Sequence, residues 1–214
     1  MSDIGKIKRI FFSMGLLLFA SELWKQCTLT FILNDGIYDF WYFPFQLCSI
    51  PMYLLLVFPF LENNSHSKVI FTFLMDYSLL SGIFVFFDTS GMQYPIISLT
   101  VHSYVWHIIL IIIGISSGII LYRFFKPNFA SFWKATGLFI GCAIIAQCLN
   151  LSIGQYAQIN MFYISPFEPA TQTFFSSIYR YLGFGIYMIS YLCAIVLGAF
   201  LFHLLWKKFF YDKL

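Results

Sequence analysis

Residues 97–122 read ISLTVHSYVWHIILIIIGISSGIILY and contain no Asp, Glu, Lys or Arg. A helix needs about 20 mostly apolar residues to cross the hydrocarbon core of a bilayer. This stretch is long enough, and its apolar residues follow one another without the alternation typical of a half-buried strand. It therefore predicts a membrane-spanning helix.

The composition of the whole chain also indicates that the surrounding solvent is a bilayer. Of the 214 residues, 60% are hydrophobic and 10% are charged, whereas a soluble domain has about 25% charged residues. So few charges cannot cover a soluble globule with polar surface. The net charge of +3 comes from basic residues at predicted helix ends, without a cluster that would suggest nucleic acid. We expect one integral membrane domain.

Six apolar runs of spanning length predict an all-α fold, a polytopic bundle of six transmembrane helices. The predicted helices are 10–33, 43–61, 69–87, 97–122, 132–151 and 181–206, with an outer loop at 152–180. Only helices and closed barrels satisfy backbone polar groups in lipid, and continuous apolar runs favour helices. Within the second helix, Pro51 is expected to bend the chain beside Cys48.

Basic residues predict the orientation, because cytoplasmic loops carry the excess of Lys and Arg. Six crossings bring the basic segments to one side of the membrane: Lys6, Lys8, Arg9, Arg123, Lys126, Lys134, Lys207, Lys208 and Lys213. Both termini are therefore predicted to be cytoplasmic in a multi-pass protein. Abundant Phe, Ile and Tyr with few Arg and Ala suggest an AT-rich genome, so we expect a bacterial cytoplasmic membrane.

Polar side chains gather in the predicted outer half of the bundle. They are Glu22, Lys25, Gln46, Cys48, His102, His107, Gln147, Asn150, Asn160 and Arg180, with Asp76 near the middle. Ionisable groups inside a membrane are costly and usually face the bundle interior or a water-filled cavity. The clustering predicts a polar cavity open to the outer leaflet. In the alternative, these side chains pair with one another as contacts between helices.

A cysteine and a histidine in one pocket can form an activated nucleophile. The thiolate attacks, and the histidine lowers the pKa of the thiol and moves the proton. Cys48 is the candidate nucleophile, although a lone cysteine in an apolar helix is commonly packing. Acyl transfer also needs a donor for the developing oxyanion. Gln46, Asn150 and Asn160 are the candidates for that role.

Charged residues suggest contacts with a lipid head group. Arg180 and Lys25 are candidates for binding its phosphate. Glu22 lies three residues before Lys25, so the two can pair on one helix face, and a self-neutralising pair is favoured over a catalytic role. Glu22 and Asp76 are reserve site residues. The five cysteines have no CxxC spacing or other metal pattern, so we expect no metal and no organic cofactor.

Three motifs, in order along the chain, resemble one family. Residues 43–50, FPFQLCSI, resemble the LP-x-[HQ]-LC signature of the YwaF-like bacterial membrane proteins, which are related to the eukaryotic transmembrane protein 164 group. Residues 94–95, YP, followed by His107 in a long helix, resemble that family's YP…H block. Residues 158–163, QINMFY, with Pro166, resemble its NYMYL…P loop.

The resemblance implies a phospholipid acyltransferase, as in the eukaryotic relatives, with a Cys nucleophile and a His partner. Carried over by position, these residues are Cys48 and His107. His102 is the reserve partner, because its predicted depth in the membrane is closer to that of Cys48. Gln46 stands where many members of the family have His. The expected activity is that of a lipid acyltransferase or hydrolase. Its expected partner is a membrane phospholipid or lysophospholipid.

Two other functions stay open. A small-molecule or vitamin-binding membrane subunit of a transporter has a similar size and about six helices, but carries an Ala-x-x-x-Ala docking motif early in the chain, where residues 11–16 here read FFSMGL. A structural or chaperone-like membrane protein without a ligand is the other alternative. It predicts that the polar residues of the outer half pair among themselves and leave no cavity.

Overall fold

The computed structural model describes residues 3–61, 64–170 and 172–211, and within these ranges the regular structure is helical, without a strand. The α-helices are α1 (Asp3–Thr28), α2 (Ile50–Val57), α3 (Asn64–Phe73), α4 (Leu79–Phe84), α5 (Ile97–Ile120), α6 (Phe129–Ile153) and α7 (Thr173–Tyr211). The predicted all-α fold is confirmed. Lys213, which contributed to the predicted orientation, and residues 62–63 of the second interhelical loop lie outside the described residues.

Short π turns extend or join several helices, and α3, the turn Leu74–Ser78 and α4 form one continuous helix. Five helices are long and apolar enough to cross a membrane: Ile4–Leu33, Ser65–Phe87, Ile97–Phe125, Phe129–Ile153 and Phe174–Phe210. Five of the six predicted helices, all except 43–61, lie inside these five. The architecture is that of a helical, multi-pass membrane bundle.

The second predicted helix, 43–61, is shorter than expected, because α2 and the 3₁₀ turn that follows it cover only Ile50–Phe60. Pro44 has no amide hydrogen and keeps the residue before it out of the helical region. Pro51 lies in the first turn of α2, where a missing amide hydrogen leaves no helical hydrogen bond unmade. The predicted bend beside Cys48 is therefore wrong, since the helix begins after that residue.

The stretch 42–61 nevertheless runs alongside α1 for most of the length of that helix. The side-chain amide of Gln26 donates to the Tyr42 carbonyl at 2.7 Å, and the Lys8 ammonium group donates to the Leu61 carbonyl at 2.6 Å. The two contacts on α1 are about 27 Å apart at a rise of 1.5 Å per residue. An irregular segment and a short helix together cover this distance.

Two backbone carbonyls of the irregular segment 43–49 accept hydrogen bonds from side chains of neighbouring helices. The Tyr53 hydroxyl donates to the Pro44 carbonyl at 2.8 Å, and the Trp106 indole donates to the Cys48 carbonyl at 3.1 Å. Irregular backbone is tolerated at membrane depth where the protein itself supplies such partners. The segment can therefore lie inside the bundle.

The last helical element, α7, runs from Thr173 to Tyr211, beyond the predicted 181–206, and consists of two helices joined across a kink at Gly183. Pro169 is the last proline of the chain, and residues 173–182 contain neither Gly nor Pro. Nothing in their sequence prevents an earlier start. Gly183 interrupts the helical geometry with φ +80°, a conformation that glycine adopts without steric cost.

The outer loop is correspondingly shorter than the predicted 152–180. Helix α6 continues to Ile153 and α7 begins at Thr173, which leaves residues 154–172. A single 3₁₀ turn, Met161–Tyr163, lies in the middle of this loop. The loop packs on the bundle through this turn, because Met161 and Phe162 are buried in the same apolar cluster as residues of α6.

Candidate functional site

Cys48 lies on the irregular segment, two residues before α2, and is half-buried. Its carbonyl accepts the hydrogen bond from the Trp106 indole of α5. Its side chain packs at the edge of an apolar cluster that includes Trp106, Met52 and Leu110. The irregular segment thus places Cys48 against an apolar cluster that contains residues of both α2 and α5.

His107 follows Trp106 on α5 and is buried. Its Nδ1 lies 2.8 Å from the Ser103 carbonyl oxygen. A carbonyl oxygen can only accept, so Nδ1 carries the hydrogen, and in the neutral ring Nε2 keeps its lone pair. This is the tautomer that a general base needs. Among the described residues, however, no hydrogen bond joins His107 to the Cys48 thiol.

His102 lies on the same helix, between two tryptophans. Its ring centroid is 5.5 Å from that of Trp24 and 5.7 Å from that of Trp106. Its Nε2 is buried and has no hydrogen-bond partner within the described chain. A buried polar atom without a partner is where an ordered water or a polar group of a ligand is expected.

Glu22 and Lys25 form the ion pair that their spacing predicts. Lys25 Nζ lies 2.7 Å from Glu22 Oε1, and Gln26 Nε2 donates to the same oxygen at 2.7 Å. Both residues also lie within electrostatic range of His102. The predicted pairing is confirmed, and the Lys25 charge is largely neutralised inside the bundle.

Two of the predicted oxyanion donors hold the outer loop instead. Gln46 Nε2 donates to the Asn160 carbonyl at 2.8 Å, while its Oε1 accepts from the Phe162 amide at 2.7 Å. Asn150 makes the same pair of bonds with the backbone of Met161, at 3.0 and 2.7 Å. Both side-chain amides are therefore occupied in this conformation.

The turn that they hold is strained. Phe162 and Tyr163 have φ values of +56° and +57°, in the left-handed region that bulky residues rarely adopt. The third predicted donor, Asn160, accepts through Oδ1 from the Ser165 amide at 2.9 Å. Such a backbone persists where its surroundings over-determine it, often beside a functional site.

Tyrosines surround the outer end of this region. Burial raises the pKa of Tyr163 and of Tyr38 to about 12, and burial followed by the neighbouring Tyr42 raises the pKa of Tyr94. These hydroxyls are therefore neutral donors at physiological pH. Cys48 lies within electrostatic range of Tyr94 and Tyr163.

The remaining predicted residues lie elsewhere or stand alone. Arg180 is exposed on the first part of α7, before Gly183, and within the described ranges it forms no ion pair. Asp76 is buried on the turn between α3 and α4 and pairs with His203 of α7. Asp76 therefore belongs to a different cluster from Cys48.

Sequence reasoning missed two residues that the structure brings into play, Trp106 and His203. A buried tryptophan N–H usually finds an acceptor, so Trp106, one residue before the predicted base, could have been singled out. His203 is 127 residues from Asp76, and no spacing rule joins residues so far apart. In the sequence, the feature that could have singled out His203 is that it is a lone histidine in an apolar run.

The site contains no metal-ligand cluster, as far as the described residues go, because no three His, Cys, Asp or Glu side chains converge. A depression of about 400 Å³ opens at the end of the bundle that holds the outer loop. Its lining consists of Asn34, Ile37, Tyr38, Asp39, Phe40, Ala157 and Gln158. Neither Cys48 nor His107 lines this depression.

Comparison of the chain with protein-family models, with curated proteins and with solved structures finds no match. The class of protein is therefore defined by the fold itself. It is an all-helical chain with five helices able to span a membrane, the architecture of a multi-pass membrane protein.

Proposed function

We propose that this protein crosses a bacterial cytoplasmic membrane six times and acts there as a lipid acyltransferase or acyl hydrolase similar to the YwaF-like group. Cys48 is the nucleophile and His107 the base. One arrangement supports the proposal. The Trp106 indole donates a hydrogen bond to the Cys48 carbonyl. The next residue, His107, is held by the Ser103 carbonyl in the tautomer that has a free lone pair on Nε2.

Six crossings follow if the stretch 42–61 traverses the bilayer beside α1. Its two ends contact α1 at Gln26 and Lys8, at levels about 27 Å apart, close to the thickness of the hydrocarbon core. With six crossings the basic segments share one side, and both termini are cytoplasmic.

The reaction proceeds through a thioester. His107 Nε2 takes the proton of the Cys48 thiol as Sγ bonds to the acyl carbonyl carbon of a phospholipid. The ester C–O bond breaks, and the released lysolipid oxygen takes the proton from Nε2. A second lysolipid hydroxyl or a water then gives its proton to Nε2 and attacks the thioester. The product is a new ester or a free fatty acid, and the thiol is restored.

The oxyanion of this reaction needs neutral donors. The Gln46 and Asn150 amides are occupied by the outer loop, so Asn160 and Tyr163 are the better candidates. Of the Asn160 side chain, only Oδ1 is engaged among the described residues, which leaves Nδ2 as a donor. The raised pKa of Tyr163 keeps its hydroxyl protonated. Exposed Arg180 is the candidate for the phosphate, since Lys25 is already paired.

Trapping the thioester tests the proposal. Purified protein is mixed with a phospholipid, quenched in acid and digested, and the mass of the peptide that contains Cys48 is measured by mass spectrometry. We expect an acyl adduct that hydroxylamine removes, that Cys48→Ser abolishes and that His107→Gln strongly reduces. Cys193→Ser, at an exposed position, is the matched control and keeps the adduct. Lipid turnover that continues unchanged in Cys48→Ser would refute the proposal.

A structural role without a ligand is the second candidate, and a specific observation favours it. Four polar residues of the outer half are paired with one another or with the loop: Glu22 with Lys25, and Gln46 and Asn150 with the backbone of residues 160–162. This candidate predicts no lipid turnover by the purified protein and no acyl adduct at Cys48. The same trapping experiment therefore separates the two.

A further inference from the structure

A buried carboxylate–histidine pair joins the α3–α4 helix to α7, in a cluster that the proposed acyl chemistry does not use. Asp76 is 0% exposed and His203 is 2% exposed. Asp76 Oδ2 and His203 Nδ1 are 2.9 Å apart. Asp76 is also the only aspartate inside the five candidate spans. Ionisable residues at such positions commonly mark proton or ion sites.

The second carboxylate oxygen of Asp76 is unsatisfied. Oδ1 is buried and has no hydrogen-bond partner in the part of the chain that the structure describes. An unpaired ionised oxygen in a low-dielectric interior is costly. Asp76 lies on the π turn Leu74–Ser78, and π turns inside α-helices are frequent at functional sites.

The neighbours of the pair do not neutralise a charge on it. Phe129 and Phe132 flank the His203 ring, with centroids at 5.9 and 5.2 Å. Lys207, one turn beyond His203, has its ammonium group over the Phe129 ring at 4.5 Å. No Lys or Arg of the described chain forms an ion pair with Asp76.

Two tyrosines are the other titratable groups near Asp76. Tyr77, on the same turn, donates its hydroxyl to the Thr136 hydroxyl of α6 at 2.8 Å. Tyr122, at the end of α5, lies within electrostatic range of Asp76. Both are neutral in their ordinary state at physiological pH. The charge of the pair therefore depends on the protons that Asp76 and His203 hold between them.

We propose that Asp76 and His203 form a proton-binding site, in which Asp76 holds the proton and His203 is its route to the surface. An ionised carboxylate and a neutral ring together carry one negative charge, so binding one proton makes the pair neutral. Without that proton the pair is a buried anion, and with a second proton it is a buried cation. Both charged states are costly in this interior. The neutral pair, which holds one proton, is therefore the favoured state in this interior.

The route exists because the two ring nitrogens of His203 have different surroundings. Nδ1 lies against Asp76 Oδ2, whereas Nε2 forms no hydrogen bond in the described chain and is not fully enclosed by it. Nε2 is therefore the ring atom that a proton from outside the pair can reach. A proton that bonds to Nε2 makes the ring cationic, and the ring passes its Nδ1 proton to Asp76 Oδ2. The reverse sequence releases a proton.

Infrared spectroscopy of the full-length protein in lipid tests this site directly. The probe is the C=O stretch of a protonated carboxyl group, measured at neutral pH with and without Asp labelled with ¹³C in its side-chain carboxyl. We expect a band that shifts with the label and that shifts again after transfer to D₂O. Because labelling does not alter the sequence, this step does not depend on how a variant folds. Asp76→Asn removes the band, and the matched control Asp88→Asn, in an exposed loop, keeps it.

The route is tested in His203→Phe, which preserves ring packing, and in His203→Asn, which preserves a hydrogen-bonding side chain beside Asp76. In both variants the band should remain but lose its shift in D₂O. Absence of a protonated aspartate band in the wild type would mean an ion pair and would overturn the proposal. A wild-type band that never exchanges, or one that exchanges equally well in both His203 variants, would overturn the role of His203.

Discussion

The indole of Trp106 in α5 donates a hydrogen bond to the Cys48 carbonyl. Trp106 is buried, so loss of its N–H leaves a carbonyl without a donor inside the bundle. Phenylalanine removes the donor together with one ring of the indole. The effect of this substitution therefore combines the lost hydrogen bond with a loss of packing.

We predict that Trp106→Phe lowers the free energy of unfolding by about 1–3 kcal/mol, the usual cost of an unsatisfied buried polar group. Denaturant titration in detergent micelles measures it. Trp133→Phe is the control, because Trp133 is 61% exposed and should change stability little. An equal loss in both variants would show that the indole bond does not hold the segment.

At this scale, local pairs could be predicted from the sequence and distant pairs could not. Glu22 and Lys25 are three residues apart on a helix, which is enough to predict their ion pair. Gln46 and the loop at 160–162 are linked by hydrogen bonds between residues more than 100 positions apart. Residue type alone indicated Gln46 as a candidate oxyanion donor. It did not indicate that the side chain would instead form hydrogen bonds with the backbone of the loop.

Helix packing at the centre of the bundle depends on the close approach of α5 to the α3–α4 helix at Gly114. A Cβ atom added there would lie 2.7 Å from the Leu79 Cβ and 3.1 Å from the Leu74 carbonyl oxygen. Neither atom is the flexible end of a side chain. The two helices would have to separate to accommodate even one methyl group.

We predict that Gly114→Ala destabilises the protein by about 1–3 kcal/mol through overpacking. Gly141→Ala in α6 is the matched control, since a Cβ there meets nothing within 4 Å. Helix propensity makes the control neutral or more stable by up to about 1 kcal/mol. Unfolding titrations of both variants measure the difference. A stable Gly114→Ala protein would contradict the observed approach.

The outer loop should become more mobile when the two hydrogen bonds from the Gln46 side chain are removed. Gln46→Leu deletes both hydrogen bonds to the loop, and the strained backbone at Phe162 and Tyr163 should then relax. We predict new chymotrypsin cleavage after Phe162, which is 2% exposed, in addition to cleavage after Tyr156, which is 87% exposed.

The control for the loop experiment is Gln155→Leu, at an exposed position of the same loop. This variant should show the wild-type digestion pattern. Mass spectrometry of the fragments identifies each cleavage site. If Gln46→Leu and the wild type give the same fragments, Gln46 does not hold the loop.

At the scale of elements, long apolar runs were enough to predict five helices within the observed bounds. The second helix was misjudged because hydropathy counts residues 43–49 as apolar, whereas Pro44 and Pro51 decide where a helix can start. The last helix was drawn too short because residues 173–182, although polar in part, carry no residue that stops a helix. Apolarity predicts membrane depth better than it predicts helix ends.

The number of crossings depends on whether the stretch 42–61 traverses the bilayer. If it does, positions 39 and 66 lie on opposite sides. Asp39→Cys and His66→Cys in a background without other cysteines place a thiol at each position, and an impermeant thiol reagent applied to intact cells tests access. We predict labelling of position 39 and protection of position 66 until the cells are opened. Equal access from outside would mean that the chain returns to the same side.

At the scale of the whole molecule, the proposed function requires a thiol that is activated by His107 and reached by lipid. The most direct measurement is labelling of the purified protein with a lipid-like, thiol-reactive ester probe, comparing wild type, Cys48→Ala and His107→Ala. We predict labelling that requires both residues, because His107 Nε2 must take the thiol proton. Labelling that is indifferent to His107, or that is absent at Cys48, would contradict it and would mean that the cysteine serves packing alone.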